Sequence, residues 1–267
     1  MRAFLGFAVL ALGCFAFAAS QTTDAAGAVP GDLPFRAFIP GMASDVSPSP
    51  EGAHQVTAAH LSQRVDGGLV VSGEVVNGTE ANITAVEVAV TLDRSGSRTT
   101  KGTISLVRVI PPGGVGPFQV FYAGVTDTDG VISAEVTGFE TTAEPAINAT
   151  FAISGPYPFQ IGPPDPKTQV IPYSTTLEQL RAQVTNTGST ALGDMDTVIV
   201  AYDGQGNVAF VTTGTEPSVP FQQAGEAPVL VPGQSGSFVA GIPIGLLLEI
   251  PGQVTLKGFM NALPIAQ

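Results

Sequence analysis

Residues 85–92 read Ala85-Val86-Glu87-Val88-Ala89-Val90-Thr91-Leu92. Large aliphatics fall on every second position, which in a strand puts Val86, Val88, Val90 and Leu92 on one face. The same period runs outward along the chain. Residues 69–76 predict a strand with Val71, Gly73 and Val75 on a common face, and residues 103–110 predict another. Phe118, Val120 and Tyr122 share one side of a further strand, as do Ile132, Ala134 and Val136 of the next. With residues 54–64 as a leading strand, six or seven short strands separated by turn signals predict a β-sandwich.

The second half repeats the first. Val75-Val76-Asn77-Gly78 recurs as Val184-Thr185-Asn186-Thr187, Pro112-Gly113 as Pro232-Gly233, and Gly138-Phe139 as Gly258-Phe259. A period of about 110 to 120 residues is too long for a solenoid unit and suits one whole domain. Leu180, Ala182 and Val184 take the places of Val71, Gly73 and Val75. Val198, Val200 and Tyr202 are aligned with Val88, Val90 and Leu92 by placing one inserted residue in 191–194. A longer insertion, 213–228, is the expected seat of anything specific to the second copy, because insertions accumulate in exposed loops. The fold class is all-β: two tandem immunoglobulin-like sandwiches, 53–153 and 167–267. Pro156, Pro158, Pro163, Pro164 and Pro166 mark 154–166 as a proline-rich linker, a short rod stiffened toward polyproline II geometry.

Composition agrees. The chain has 267 residues with 32 Gly, 22 Pro and only 12% charged side chains, which implies many turns and few long helices. Trp is absent, so neither sandwich has the buried Trp of an antibody domain and aliphatics must fill the core.

The first 20 residues are expected to be a signal peptide. Arg2 supplies a positive start, an apolar run extends from Phe4 to Phe17, and small residues at Ala16, Ala18, Ala19 and Ser20 suit cleavage. The run is shorter than the about 20 residues a membrane span requires, so no span is expected in the mature chain. Ala11-Leu12-Gly13-Cys14 is similar to a bacterial lipoprotein box and makes Cys14 a lipidation candidate, although Ala11 stands where that pattern prefers Leu and the apolar run continues past the cysteine. Cys14 is the sole cysteine, so removal of the signal leaves no disulfide. Residues 21–52 read as a flexible linker in which only 33–40 (Leu-Pro-Phe-Arg-Ala-Phe-Ile-Pro) is apolar enough to dock, with docking on the chain itself favoured. The expected location is extracytoplasmic: secreted, cell-surface or periplasmic.

The formal net charge is −12. Such a field repels phosphate backbones and anionic lipid surfaces, which argues against nucleic-acid partners.

Beyond these patterns lies a family resemblance. The strand ending in Tyr202-Asp203-Gly204-Gln205-Gly206-Asn207-Val208, followed by Leu230-Val231-Pro232-Gly233-Gln234-Ser235-Gly236-Ser237-Phe238, resembles the bacterial FxLYD group of immunoglobulin-like domains. Ile199 and Ala201 replace the Phe and Leu of that name. The first copy is more distant: it keeps Asp93, Gly96 and Pro112-Gly113 but has Leu92 in place of Tyr. The resemblance implies an extracytoplasmic sandwich without family-wide catalytic residues.

Candidate chemistry is sparse. His54 and His60 are the only histidines; on one strand face they stand about 20 Å apart, too far to share a metal ion. Residues 233–237 superficially resemble a nucleophile elbow, but the second Gly is misplaced and a turn is the better reading. No catalytic residue and no cofactor is expected. Asp127 and Asp129, and Asp194 and Asp196, are weak calcium candidates, because each pair supplies two carboxylates to an ion that wants six to eight oxygens. Asn77, Asn82 and Asn148 open N-glycosylation sequons. Asn77 aligns with Asn186, which has no sequon, and this points to a turn role for the Asn itself.

The reading is therefore an exported, non-enzymatic spacer, adhesion or protein-binding array whose partner is an unidentified protein or surface. The alternative is a carbohydrate-binding or hydrolase-accessory module, weakened by the absence of Trp and the presence of only four Tyr.

Overall fold

Alternation in 85–92 becomes a strand whose apolar face is closed from water: Val86, Val88, Val90 and Leu92 are all buried. In the computed structural model, residues 54–63, 68–94, 97–124, 131–161, 165–218 and 229–265 are described, with backbone only for 54–63, 131 and 215–218. The described residues are all-β apart from one helical turn.

In the first half, β1 (His54–Gln63), β2 (Gly68–Asn77) and β6 (Val115–Ala123) form one antiparallel sheet in the order β1-β2-β6. Opposite lies a sheet centred on β3 (Asn82–Arg94), which pairs with β4 (Ser97–Ile104), β5 (Val109–Ile110) and β7 (Val131–Thr142). Leu69, Val71 and Val75 of β2 and Phe118, Val120 and Tyr122 of β6 meet the β3 aliphatics and Ile132 in one core. The expected strand over 103–110 is instead two pieces, because Ser105 folds the chain back with Oγ contacts to the Val107 carbonyl and amide.

The second half repeats the order. Here β8 (Ala149–Gln160), β9 (Tyr173–Asn186) and β12 (Ser235–Pro243) correspond to β1, β2 and β6. Similarly, β10 (Ala191–Tyr202), β11 (Val208–Ser218) and β13 (Thr255–Ile265) correspond to β3, β4 and β7. Helix α1 (Leu246–Glu249) lies between β12 and β13. All six strands join as β13-β10-β11-β12-β9-β8, since β11 pairs with β10 and then with β12 at Gly214↔Ala240. Gly214 permits that crossover: a Cβ there would lie 2.6 Å from Thr197 Oγ1 and 3.1 Å from the Val239 carbonyl oxygen. In the first half, side chains and one loop amide bridge the same gap. Lys101 Nζ donates to Phe121 O (2.9 Å), Thr103 Oγ1 to Gln119 O (3.1 Å) and Leu106 N to Pro117 O (2.8 Å).

Three expectations are corrected. First, residues 154–160 are not a linker but the end of β8, and 149–153 pair with β9 of the second half. Prolines 156 and 158 are tolerated because β8 is an edge strand with a register shift between Ser154 and Tyr157. Second, residues 213–218 of the supposed insertion are strand β11; 219–228 lie outside the described residues, as do 33–40 and Cys14.

Third, no residue is inserted before Val198. Both copies carry a bulge at the same place, between Thr84 and Glu87 and between Gly193 and Asp196, with Ala85 (φ 49°) and Asp194 (φ 47°) in left-handed conformations. The offset therefore stays at 109 along this strand, and Ile199 and Ala201, not Val198, Val200 and Tyr202, enter the second core. A one-residue slip in a strand exchanges its faces.

Candidate functional site

Because Val198, Val200 and Tyr202 point away from the second core, they need another cover. They pack with Val208 and Val211 of β11, Leu106 from the first half and Phe259 from β13. On the first half, Val70, Ser72 and Glu74 of β2 face away from their own core and are buried too. The Tyr202 phenol donates a hydrogen bond to Glu74 Oε1, and Gln119 Nε2 donates to the Val211 carbonyl at 2.9 Å. Lys257 Nζ lies 4.7 Å from the Tyr202 ring centroid. Burial pushes the Glu74 pKa up, against the Tyr202 hydrogen bond and the Lys257 charge. The Tyr202 hydroxyl is raised by burial and by Glu74. The two halves thus share a buried face with a polar centre, where the sequence predicts a rod-like linker holding them apart.

At the end of each β2-type strand sits a buried asparagine. Asn77 Nδ2 donates to Ala81 O (2.8 Å) and Ile110 O (2.9 Å), while its Oδ1 accepts from Thr79 N (3.0 Å) and Thr79 Oγ1 (2.7 Å). Asn186 repeats this with Thr190 O (2.9 Å), Leu230 O (2.8 Å) and Gly188 N (2.9 Å). Both amide hydrogens of Asn77 are occupied inside the fold, so its sequon carries a structural asparagine. Asn82 is half-buried with Nδ2 donating to Glu144 O (2.8 Å), and Asn148 is exposed.

The other sequence candidates stay apart. His54 and His60 lie on β1 opposite Asn77 and Ser72 in backbone register. Residues 233–237 are a turn into β12: Gly233 has φ 79° and its N–H donates to Asn186 O at 2.7 Å. Asp127 and Asp129 lie outside the described residues. Asp194 and Asp196 are exposed on either side of buried Met195, and the Asp196 carboxyl is pushed up by partial burial and by the Asp194 charge. No group of three or more His, Cys, Asp or Glu comes together among the described residues. A cleft of about 340 Å³ lies where the two bulges meet, lined by Ala85, Ser105, Arg108, Asp194 and Asn261 among others. Arg108 is held there by a 2.8 Å ion pair with Glu144.

Sequence reasoning missed a run of exposed apolar side chains among the described residues. Inward-outward alternation stops at Ser154 on β8 and at Gln179 on β9. Beyond those points the two strands run on past the core as a ribbon, β9 still paired with β12 as far as Leu177 and Phe159 half-buried beside Gly241. Tyr157, Ile161, Val170, Ile171, Tyr173 and Leu177 are all exposed on it, Ile161 by 62% and Val170 by 61%. Leu248 of α1, 88% exposed, lies near its base, where Ile244 N donates to Thr176 O and Gly245 N to Glu178 Oε2. The tip is closed by Asp165, whose Oδ1 accepts from Lys167 N and Thr168 N at 2.8 Å each; those bonds hold the Asp165 carboxyl below its usual range. Arg181 covers the Tyr157 ring, its guanidinium carbon 5.1 Å from the centroid. Five prolines had marked this segment as a linker, and that signal masked the apolar residues between them.

No protein-family model matches the chain, and no curated protein matches it. Among solved structures it is similar to red sea bream transglutaminase, at 11% identity and TM-score 0.21, covering 78% of this chain and 29% of that one. It is likewise similar to the exo-β-D-glucosaminidase CsxA, also described as the exo-chitosanase CsxA of Amycolatopsis orientalis. That match has 12% identity and TM-score 0.21, covering 78% of this chain and 26% of that one. The chain spans less than a third of the length of these matched structures.

Proposed function

We propose that this chain is an exported, non-enzymatic double sandwich that presents a protein-binding surface, and that the surface is the arm formed by the ends of β8 and β9. The observation that carries this reading is the collection of six exposed large apolar side chains on one ribbon of an otherwise acidic chain. A free two-stranded ribbon is marginally stable in water, and contiguous apolar exposure marks an interaction site. The stacked sandwiches support the arm by fixing the sheet from which it projects. Export rests on the apolar N-terminal run of residues 4–17.

The carbohydrate-binding alternative has one observation in its favour, the exposed rings of Tyr157 and Tyr173. It is weakened by Arg181 over the Tyr157 ring, which occupies a face that a sugar would need.

Affinity capture from the native cell envelope, run beside a glycan array, tests the reading. Capture of a protein by the wild-type chain that is lost in Val170→Asp supports it. Glycan binding without protein capture, lost in Tyr173→Ala, refutes it in favour of the alternative.

A further inference from the structure

We infer that Asn77-Gly78 is a covalent modification site, a one-way deamidation point that the folded first half keeps closed and that reacts only when that half opens. This goes beyond the proposed function and does not depend on it.

The first argument is chemical. In a chain free to move, the Gly78 amide nitrogen attacks Asn77 Cγ, its proton passing through solvent to Nδ2, which leaves as ammonia as the Cγ–Nδ2 bond breaks. Water then opens the resulting succinimide ring at one of its two carbonyls, giving aspartate or isoaspartate with no change of oxidation state. The residue after the asparagine sets the pace, because its side chain crowds the attacking nitrogen, and glycine has none. Asn77 is the one asparagine of the sequence that glycine follows.

The second argument is the clamp. Gly78 is exposed, but the Asn77 side chain is 0% exposed and its carboxamide is held at both ends. Nδ2 donates to the Ala81 and Ile110 carbonyls, and Oδ1 accepts from Thr79 N and Thr79 Oγ1. A leaving amide nitrogen must gain a proton, and here both of its hydrogens already point at acceptors inside the fold. Reaction therefore waits for local opening.

The third argument is the difference between the copies. Asn186 is clamped in the same way, yet Thr187 follows it and the glycine comes one place later, where Gly188 N takes the part of Thr79 N. The clamp thus works without a glycine directly after the asparagine, and only the first copy carries the reactive pair. The product cannot return to the clamp. Aspartate turns an oxygen toward the Ala81 and Ile110 carbonyls. Isoaspartate adds a backbone carbon at a residue whose N–H donates to Gly114 O (2.9 Å) and whose carbonyl accepts from Gly113 N (2.8 Å).

Peptide mass mapping of the full chain, aged in mildly alkaline buffer with and without unfolding urea, tests this. In urea, Asn77 is expected to gain the mass of an amide turned acid while Asn186 stays intact over the same time. Without urea the conversion should be about a hundredfold slower or more, because the clamp's hydrogen bonds must open first. Gly78→Thr, which installs the second copy's residue, should abolish the conversion in urea. Thr79→Val, its fold verified by circular dichroism, removes one donor to Oδ1; it should speed the native reaction about fivefold and leave the unfolded rate unchanged. Once urea is diluted out, converted Asn77 should be confined to the protease-sensitive fraction. Equal rates with and without urea overturn the inference, as does an Asn77 that stays intact in urea. A folded Thr79→Val that reacts no faster than wild type, or converted Asn77 in the protease-resistant fraction, also overturns it.

Discussion

Replacing Asn186 by Asp changes one NH₂ group to an oxygen, yet it is expected to destabilise the second sandwich as much as truncation to Ala or more. The Asn186 side chain is 1% exposed and makes three hydrogen bonds, two from Nδ2 to Thr190 O and Leu230 O and one to Oδ1 from Gly188 N. At about 1 kcal/mol net for each bond, Asn186→Ala should cost about 3 kcal/mol. Asp keeps the bond from Gly188 but turns an oxygen toward the two carbonyls that Nδ2 served. An ionised carboxylate there is buried against acceptors, so its loss exceeds that of Ala at neutral pH and shrinks on acidification, when the acid regains a donor. Urea unfolding is the assay. With a slope of about 2 to 3 kcal/mol per molar, a 3 kcal/mol loss moves the midpoint down by about 1 M. Asn77→Ala and Asn77→Asp should follow the same order in the first sandwich, because its amide is held in the same way. Asp variants within about 0.5 kcal/mol of wild type, or clearly more stable than their Ala counterparts, would refute the clamp. If one unfolding transition responds to substitutions in both halves, the shared face couples them; two separately shifted transitions would mean it does not.

Four further outcomes are expected. Tyr202→Phe removes the phenol donor from buried Glu74 and should cost about 1 to 3 kcal/mol, measured by thermal melting. Because the Glu74 pKa is raised in the folded chain, its contribution is fully present below the unfolded carboxylate pKa and is lost as pH rises through the folded value; Glu74→Gln should flatten that decline, and an unchanged pH profile would exclude Glu74 as its source. Gly258→Ala places a Cβ 2.3 Å from Phe151 Cδ1 and should cost about 1 to 3 kcal/mol, since the ring must move in the seam between β8 and β13; full stability would show that it swings aside freely. Asp194→Gly relieves a left-handed residue and a like charge beside Asp196, so it should raise the melting temperature, and neither form should respond to calcium or chelator; a calcium shift abolished by Asp194→Gly would identify an ion site instead.

Period-2 alternation made the first core readable, down to Val71, Val75, Phe118, Val120 and Tyr122, because half-buried strands write burial directly into sequence. Both faces of β10 are apolar, so alternation alone did not show which face was core, and the bulge at Asp194 was invisible because Asp, unlike Gly, does not announce a left-handed residue. Proline was read as a break in the chain, whereas on edge strand β8 it removes only a donor that has no ladder partner. Asn77 was legible as a turn residue from its match with Asn186. Its hydrogen bond to the Ile110 carbonyl was not, since Ile110 lies 33 positions away.

The offset of 109 along β2 and β3 also sets which faces of the two halves meet. Two tandem copies stacked face to face bury the outer face of β2 in the first and of β10 in the second. If the copies were identical, each would still display the other's docking face, and a third unit could add, then a fourth, as in any head-to-tail contact that does not close. Substitutions at equivalent positions break that equivalence. Val70, Ser72 and Glu74 of the first copy become Gln179, Arg181 and Gln183 in the second, of which the last two are exposed and polar. Conversely, Val198, Val200 and Tyr202 of the second correspond to Ala89, Thr91 and Asp93 of the first. The β2 face that is buried in the first half is thus exposed at Arg181 and Gln183 in the second, and the two halves do not present equivalent docking faces.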